Sequence, residues 1–325
     1  MSLRRIAQDL GVSVATVSNV MSGKGRVSEP LAERILLHAN LIDYRPSAAA
    51  LALKTGRSGI IGFVMPDITH PLFPQLAQGV ERVADNLGLG VLIADSRGQA
   101  AGQVAAIARL VSRGVDGLIV VPHRGTQILA QTLPLAVINS ASDPMNTVSA
   151  DHAQGGALAA DAILALGHRR VLLLGGDRRS EVQRDRIAAM SASLQNRAEA
   201  QTAWLEDDNL DLRGHVSQGV TAVLAASDLF ALKVLSDAAE LGISCPESIS
   251  VMGFDNLPFS AIMRPSLSTI APDVAEVSRR AVEYLHSAIN GKTQLVRPEL
   301  VPMSFIKRGS TGAASFKTNQ KYNRR

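Results

Sequence analysis

The chain of 325 residues has one cysteine, Cys245, so it holds no internal disulfide and no cysteine-based zinc centre. It also lacks the apolar core of a secretory signal near its start, and with so little cysteine this points to a cytoplasmic protein. Long hydrophobic runs are missing too. The longest, such as Ile60 to Met65 and Val171 to Leu174, fall far short of the roughly 20 residues that span a bilayer, which excludes a membrane span. The motifs of common catalysts are absent or broken. Gly291-Lys292-Thr293 resembles the end of a phosphate loop, but His286 stands where that loop requires glycine. Gly175-Gly176 falls short of a dinucleotide fingerprint, and no histidine pair has metal-ligand spacing backed by a third ligand. The reading is therefore no enzyme, no cofactor and no metal, with His70, His123, His152 and His168 as solvated or packing residues.

What is present suits a large folded protein. With 46% apolar and 19% charged residues the chain can bury a substantial core, and its length exceeds what one core usually supports. The formal charge of +4 is unevenly spread. Residues 1–57 carry eight Lys or Arg against four Asp or Glu, and residues 307–325 carry six against none, which leaves the middle at −6. A basic head and tail flanking an acidic middle point to a polyanion at the ends and a different task between them.

The first 60 residues read as short helices. Leu3, Ile6, Ala7 and Leu10 fall at helical spacing, Gly11 breaks the run, and Ser13 is placed to cap a second helix from Val14 to about Met21. A third helix opens at Ser28 and Pro30 and closes at Tyr44-Arg45-Pro46. Ser47 to Thr55 is an Ala-Leu helix with little to pack on, followed by a Gly-Ser linker. From Ile60 the texture changes to apolar strands alternating with longer helical patterns, and the alternation repeats after residue 155. Two doubly wound parallel-sheet lobes follow, with a ligand crevice at the carboxyl ends of their strands. Phe316 to Arg325 is polar and shows no heptad repeat of a coiled coil.

In a helix-turn-helix the second helix enters the major groove. Here its outward residues are Val14, Ala15, Thr16, Ser18 and Asn19. Thr16 and Ser18 suit phosphates, Asn19 suits a base edge, and Val14 and Ala15 suit a thymine methyl. Three short helices also occur as plain packing modules, so spacing alone leaves both readings open.

The segment Leu10-Gly11-Val12-Ser13-Val14-Ala15-Thr16-Val17-Ser18-Asn19-Val20, then Arg26-Val27-Ser28 and Tyr44-Arg45-Pro46, resembles the start of a lactose-repressor (LacI/GalR) family regulator. The resemblance continues in order through Pro66-Asp67-Ile68-Thr69-His70-Pro71, Gly114-Val115-Asp116-Gly117, Gly167-His168-Arg169-Arg170, Gly253-Phe254-Asp255-Asn256 and Arg308-Gly309-Ser310-Thr311. It implies an all-α helix-turn-helix headpiece over 1–46, a hinge helix and linker over 47–58, and a periplasmic-binding-protein-like α/β core over 59–309. The core's N-lobe is expected at about 59–155 and 271–292, its C-lobe at about 156–270 and 293–309, and a basic, disordered tail at 310–325. It further implies a homodimer on a palindromic double-stranded operator, with Arg26 and Tyr44 joining the DNA-contacting residues. In the hinge, Ala50 and Leu53 match the pattern in which leucine wedges into a minor-groove step, although Leu53 as a packing residue stays open. Asn19 replaces the usual basic residue or His, Leu51 replaces a common Arg, and Ala189 replaces a usual Gly.

The family places its small-molecule effector in the crevice. Asp67, Phe73, Arg186, Ser227, Asp228 and Asp255 are the positions carried over: carboxylates at strand ends suit hydroxyl donors, and arginine supplies a rigid fork of N–H groups. Asp67 and Asp228 as helix caps and Phe73 as core are the plainer alternatives. A sugar, or a sugar acid given the nearby Arg178, Arg179 and Arg184, is the implied ligand. The functional expectation is a sequence-specific transcriptional regulator, most often a repressor, under effector control. The rival is a cytoplasmic sugar-binding or sugar-converting protein, such as an NAD-dependent dehydrogenase, with an incidental basic N-terminus.

Overall fold

The computed structural model describes residues 3–21, 27–42, 44, 56–126, 128, 131–207, 210–292 and 297–314, in two units divided after Ser58. The expected DNA contacts Arg26, Ala50 and Leu53, the hinge helix and the tail beyond residue 314 lie outside the described residues.

The head holds α1 (Leu3–Leu10), α2 (Val14–Met21) and α3 (Glu29–Leu41). Each contributes one apolar stripe: Ile6 and Ala7, Val17, and Ile35 with Ala39 are buried together, and Leu3, Leu10, Leu31 and Tyr44 pack around them. Gly11, at φ +66°, makes the turn between the first two helices in a conformation that disfavours any side chain. Ser13 then caps α2, its Oγ accepting from the Thr16 amide at 3.0 Å.

The second unit is built on two sheets. The first has the order β2-β1-β3-β4, from β1 (Ile60–Met65), β2 (Gly90–Asp95), β3 (Gly117–Val120) and β4 (Leu135–Val137), all parallel. Alternation along β1 explains its two-sided cover. Ile61, Phe63 and Met65 face α4 (Leu72–Asn86) and α10 (Val274–Ile289), while Val64 faces α5 (Ala100–Ser112).

The second sheet has the order β12-β10-β9-β8-β6-β7, from β6 (Arg170–Gly175), β7 (Glu199–Trp204), β8 (Ala222–Ala225), β9 (Ser250–Phe254), β10 (Ser268–Pro272) and β12 (Met303–Ile306). Val171 and Leu173 pack under α6 (His152–Ala165) and α7 (Glu181–Leu194). Leu172 and Leu174 pack under α8 (Leu212–Ser217) and α9 (Asp228–Glu240). Each such fully buried side chain contributes about 1.5–3 kcal/mol of burial free energy. A short parallel pair, β5 (Val148–Ala150) with β11 (Glu299–Val301), accompanies the two sheets.

Three details differ from the sequence reading. The second sheet is not wholly parallel, because β12 runs antiparallel to β10. The alternation expected to restart after residue 155 restarts earlier, with a helix from His152 that Asp151 caps by accepting from the Gln154 amide at 2.9 Å. The return expected at residue 293 comes later: Val301 still packs with the first sheet's core and Met303 with the second's.

Candidate functional site

On the head, the residues expected to meet DNA share the outer side of α2. Val14 is 42% exposed, Ala15 and Asn19 are exposed, and Thr16 and Ser18 are half-buried beside the buried Val17. Tyr44 sits half-buried against the head's core.

In the second unit, the carboxyl ends of both sheets' strands enclose a cavity of about 380 Å³. That size suits a small molecule rather than a peptide. Asp67 follows β1, His123 and Arg124 follow β3, Asn139 follows β4, His152 follows β5, Asp177 follows β6, Ser227 follows β8 and Asp255 follows β9, and all line it. Leu72, Phe73, Val182 and Phe230 supply much of its apolar wall.

Arg186, on α7, is the hub. Its Nη1 donates to the Ala226 carbonyl at 2.8 Å, its Nε to His152 Nδ1 at 3.3 Å, and its Cζ lies 4.0 Å from the Phe254 ring centre. Its Nη2 lies 2.8 Å from Asp255 Oδ1, with both side chains at most 5% exposed. That pair is close but off-axis, so Asp255 Oδ1 is a buried oxygen with no aligned hydrogen-bond donor. A carboxylate oxygen has more than one lone pair, so a hydroxyl group entering the cavity can share Asp255 with Arg186. His123 Nδ1 is the other such atom among the described residues.

Backbone strain is concentrated at the same place. Asp255 has φ +107° and Asn256 φ +49°, and a non-glycine residue there typically costs about 1–3 kcal/mol. Close packing brings Arg186 to the cavity: a Cβ on Gly156 of α6 would lie 2.7 Å from Ala189 Cβ and 2.9 Å from the Arg186 carbonyl. Gly156 thus supplies the room that a glycine at position 189 would otherwise give.

Burial, reinforced by the Arg186 charge, holds His152 well below the usual histidine range, so its ring is neutral. Because Nδ1 accepts from Arg186, Nε2 carries the proton and donates to the Asn139 carbonyl at 3.3 Å. Asp177 is pulled down to about 2, chiefly by the Arg179 guanidinium that donates to it at 2.9 and 3.1 Å. Asp67 is lowered by the Thr69 hydroxyl and amide, which donate to it at 2.6 and 2.8 Å.

Of the six residues carried over by sequence, the structure brings Asp67, Phe73, Arg186, Ser227 and Asp255 to the cavity. Asp228 is a correction: it is 0% exposed, does not line the cavity, and accepts instead from the Leu257 amide at 2.7 Å and the Thr269 hydroxyl at 2.6 Å. The histidines also need correcting, since His70, His123 and His152 line the cavity. His168 does pack, between Thr221 Oγ1 and the Gly312 carbonyl. Of the missed residues, His123 carries one legible signal, which is position just beyond the apolar strand β3.

Burial pushes the Asp228 carboxyl up to about 7 from 3.8. A raised carboxyl contributes stability that is full below 3.8 and lost as pH rises through 7, whereas the contribution of Asp177 is lost only as pH falls through about 2. Between pH 5 and pH 8 the Asp228 contribution should therefore shrink by roughly 2–3 kcal/mol. Urea unfolding of wild type and Asp228→Asn at both pH values checks this, and equal pH dependence in the two proteins would contradict it.

A family model for bacterial regulatory proteins of the lacI family matches residues 2–47, and one for the periplasmic binding protein-like domain matches residues 160–311. The chain is 27% identical over 325 residues to the HTH-type transcriptional regulator DegA of Bacillus subtilis, covering 94% of this chain and 96% of that one. It is 28% identical over 324 residues to the ribose operon repressor of Haemophilus influenzae, covering 92% and 97%. Among solved structures, the lac repressor dimer bound to operator and the anti-inducer ONPF has a TM-score of 0.81 at 25% identity, over 96% of this chain and 99% of that one. The chain thus carries a lacI-family DNA-binding domain followed by a periplasmic-binding-protein-like domain, and its relatives along its whole length are LacI-family transcriptional regulators.

Proposed function

We propose that this regulator acts as a cytoplasmic homodimeric repressor whose hold on a palindromic operator is set by a sugar or sugar derivative in the crevice. The observation that carries the ligand class is the buried Asp255–Arg186 ion pair, 2.8 Å apart, at the wall of a cavity lined by apolar and aromatic side chains. A carboxylate acceptor, a guanidinium and a flat apolar face together match a polyol ring, which offers O–H groups at its edge and C–H groups on its face. The relatives are named as regulators, and the reading assigns the crevice to binding rather than turnover.

Dimerisation has a candidate surface on the first sheet's outer edge. There α5 exposes Ala101, Val104, Ala105, Ala108 and Val111 at helical spacing, and Ile93 of the edge strand β2 is 48% exposed. A second copy covering this stripe would give the two-fold symmetry that a palindrome requires.

A thermal-shift screen of neutral sugars and sugar acids, followed by anisotropy on a palindromic operator, tests the reading. A ligand at 100 times its Kd should add about 2.7 kcal/mol of stability. That same ligand should change operator affinity about 5- to 150-fold, the usual range of coupling between sites. A ligand that binds tightly and leaves operator affinity unchanged would overturn effector control.

A further inference from the structure

Two consecutive non-glycine residues, Asp255 and Asn256, hold positive φ at the wall of the crevice, and something must keep them there. Three amides in a row are tied down. Asp255 N donates to the Ile270 carbonyl at 2.8 Å, Asn256 N to Thr269 Oγ1 at 3.2 Å, and Leu257 N to Asp228 Oδ2 at 2.7 Å. The last two anchors are joined, since the Thr269 hydroxyl donates to Asp228 Oδ1 at 2.6 Å, and both side chains are 0% exposed. The fit is tight, because a Cβ on Gly253 would lie 2.1 Å from Asp228 Oδ1. Asp228 also follows Ser227 directly, so one buried carboxylate links two of the loops that line the cavity.

We propose that Asp228 and Thr269 are positioning residues of the effector crevice: they set the left-handed turn that aims the Asp255 carboxylate at Arg186 and at an incoming hydroxyl group. This rests on the reading of the crevice as an effector site, but its geometry can be tested without any ligand. Neither residue touches Arg186 in the described contacts; from Thr269 the direct route to it runs through the 255–257 turn and Asp255, whereas Asp228 also reaches it along the chain through Ser227 to the Ala226 carbonyl, so Thr269 is the cleaner probe. The charged groups acting on Asp228 itself are Asp255, which disfavours its ionised form, and Arg308, which favours it.

The test uses the full chain, ligand-free and labelled with ¹⁵N. Its readout is the Arg186 Nε–H resonance, assigned by its loss in Arg186→Lys. Thr269→Val removes the hydroxyl and keeps the shape, and Thr269→Ser restores the hydroxyl. We expect Thr269→Val to shift or broaden the Arg186 resonance and to speed amide exchange at Asn256 and Leu257 at least tenfold, with Thr269→Ser close to wild type. Faster exchange with an unmoved Arg186 resonance would mean the pair is merely structural, and unchanged exchange would mean it does not hold the turn. Should Thr269→Val fail to fold, Asp228→Asn decides the matter. Asp228→Asn keeps the shape but replaces an acceptor oxygen with an amide, and it should shift the Arg186 resonance and speed amide exchange at Leu257 at least tenfold. An unmoved Arg186 resonance together with unchanged exchange in Asp228→Asn overturns the proposal. No outcome depends on a sugar binding, so failure here is distinct from failure of the sugar reading.

Discussion

Arg186→Ala should unfold about 3–5 kcal/mol more easily than wild type, the range typical of a buried ion pair that loses one partner. The substitution strands the Asp255 carboxylate in a site that is 3% exposed, removes the donors to His152 and the Ala226 carbonyl, and uncovers the face of Phe254. Those groups cannot all relax toward solvent, because they sit where two sheets' strand ends converge. Ligand binding and the ligand's effect on operator affinity should disappear together, while operator affinity without ligand stays within about 1 kcal/mol, as for sites that share no partners. Urea unfolding and calorimetry check the two halves. A loss of stability below about 1 kcal/mol would show that the pair is solvated in solution, and a retained ligand response would move the effector site elsewhere.

Operator affinity should fall on the order of 10³- to 10⁵-fold between 50 and 200 mM salt, if the dimer neutralises roughly 6 to 10 phosphates. The head carries the charge for this. Arg4, Arg5 and Arg34 are exposed on α1 and α3, and Lys24, Arg26 and Lys54 belong to the same 58-residue unit. Each phosphate contact releases condensed counterions, so log affinity against log salt is linear with a slope that counts contacts. Fluorescence anisotropy over that salt range gives the slope, and a flat response would be incompatible with the expected phosphate contacts.

The outline of this molecule was legible because its central strands are buried on both faces and read as apolar runs. Ile60–Met65 and Val171–Leu174 are examples, with helices of ordinary length between them. What escaped was short or held by distant partners. The three-residue strands β5 and β11 carry too little pattern to stand out, and their pairing joins residues about 150 apart in sequence. In the crevice, Asp67, Phe73, Arg186, Ser227 and Asp255 were placed by their order in the chain. Asp228 was misplaced for a physical reason: a carboxylate after a strand looks alike whether it turns outward to a ligand or inward to the amides of a neighbouring loop. His123 and His152 were passed over because a single histidine carries no periodicity. Only the fold shows that one ring bonds Arg186 and that the other leaves a buried nitrogen unsatisfied.

The apolar layer over the first sheet is completed from far down the chain. Helix α10 packs on α4, and the Ser278 hydroxyl donates to the Leu76 carbonyl at 3.4 Å across 202 residues of sequence. On a ribosome adding roughly 5–20 residues per second, that interval lasts about 10–40 s. Throughout it, the faces of Phe63 and Val80 that α10 will cover are open to water and to other nascent chains. The second sheet, whose central strands β6, β8 and β9 lie within 85 residues of one another, can close first. The half made first therefore waits for a helix made near the end of the chain, and a chain truncated before α10 exposes its earliest strands as a surface for aggregation or for a chaperone.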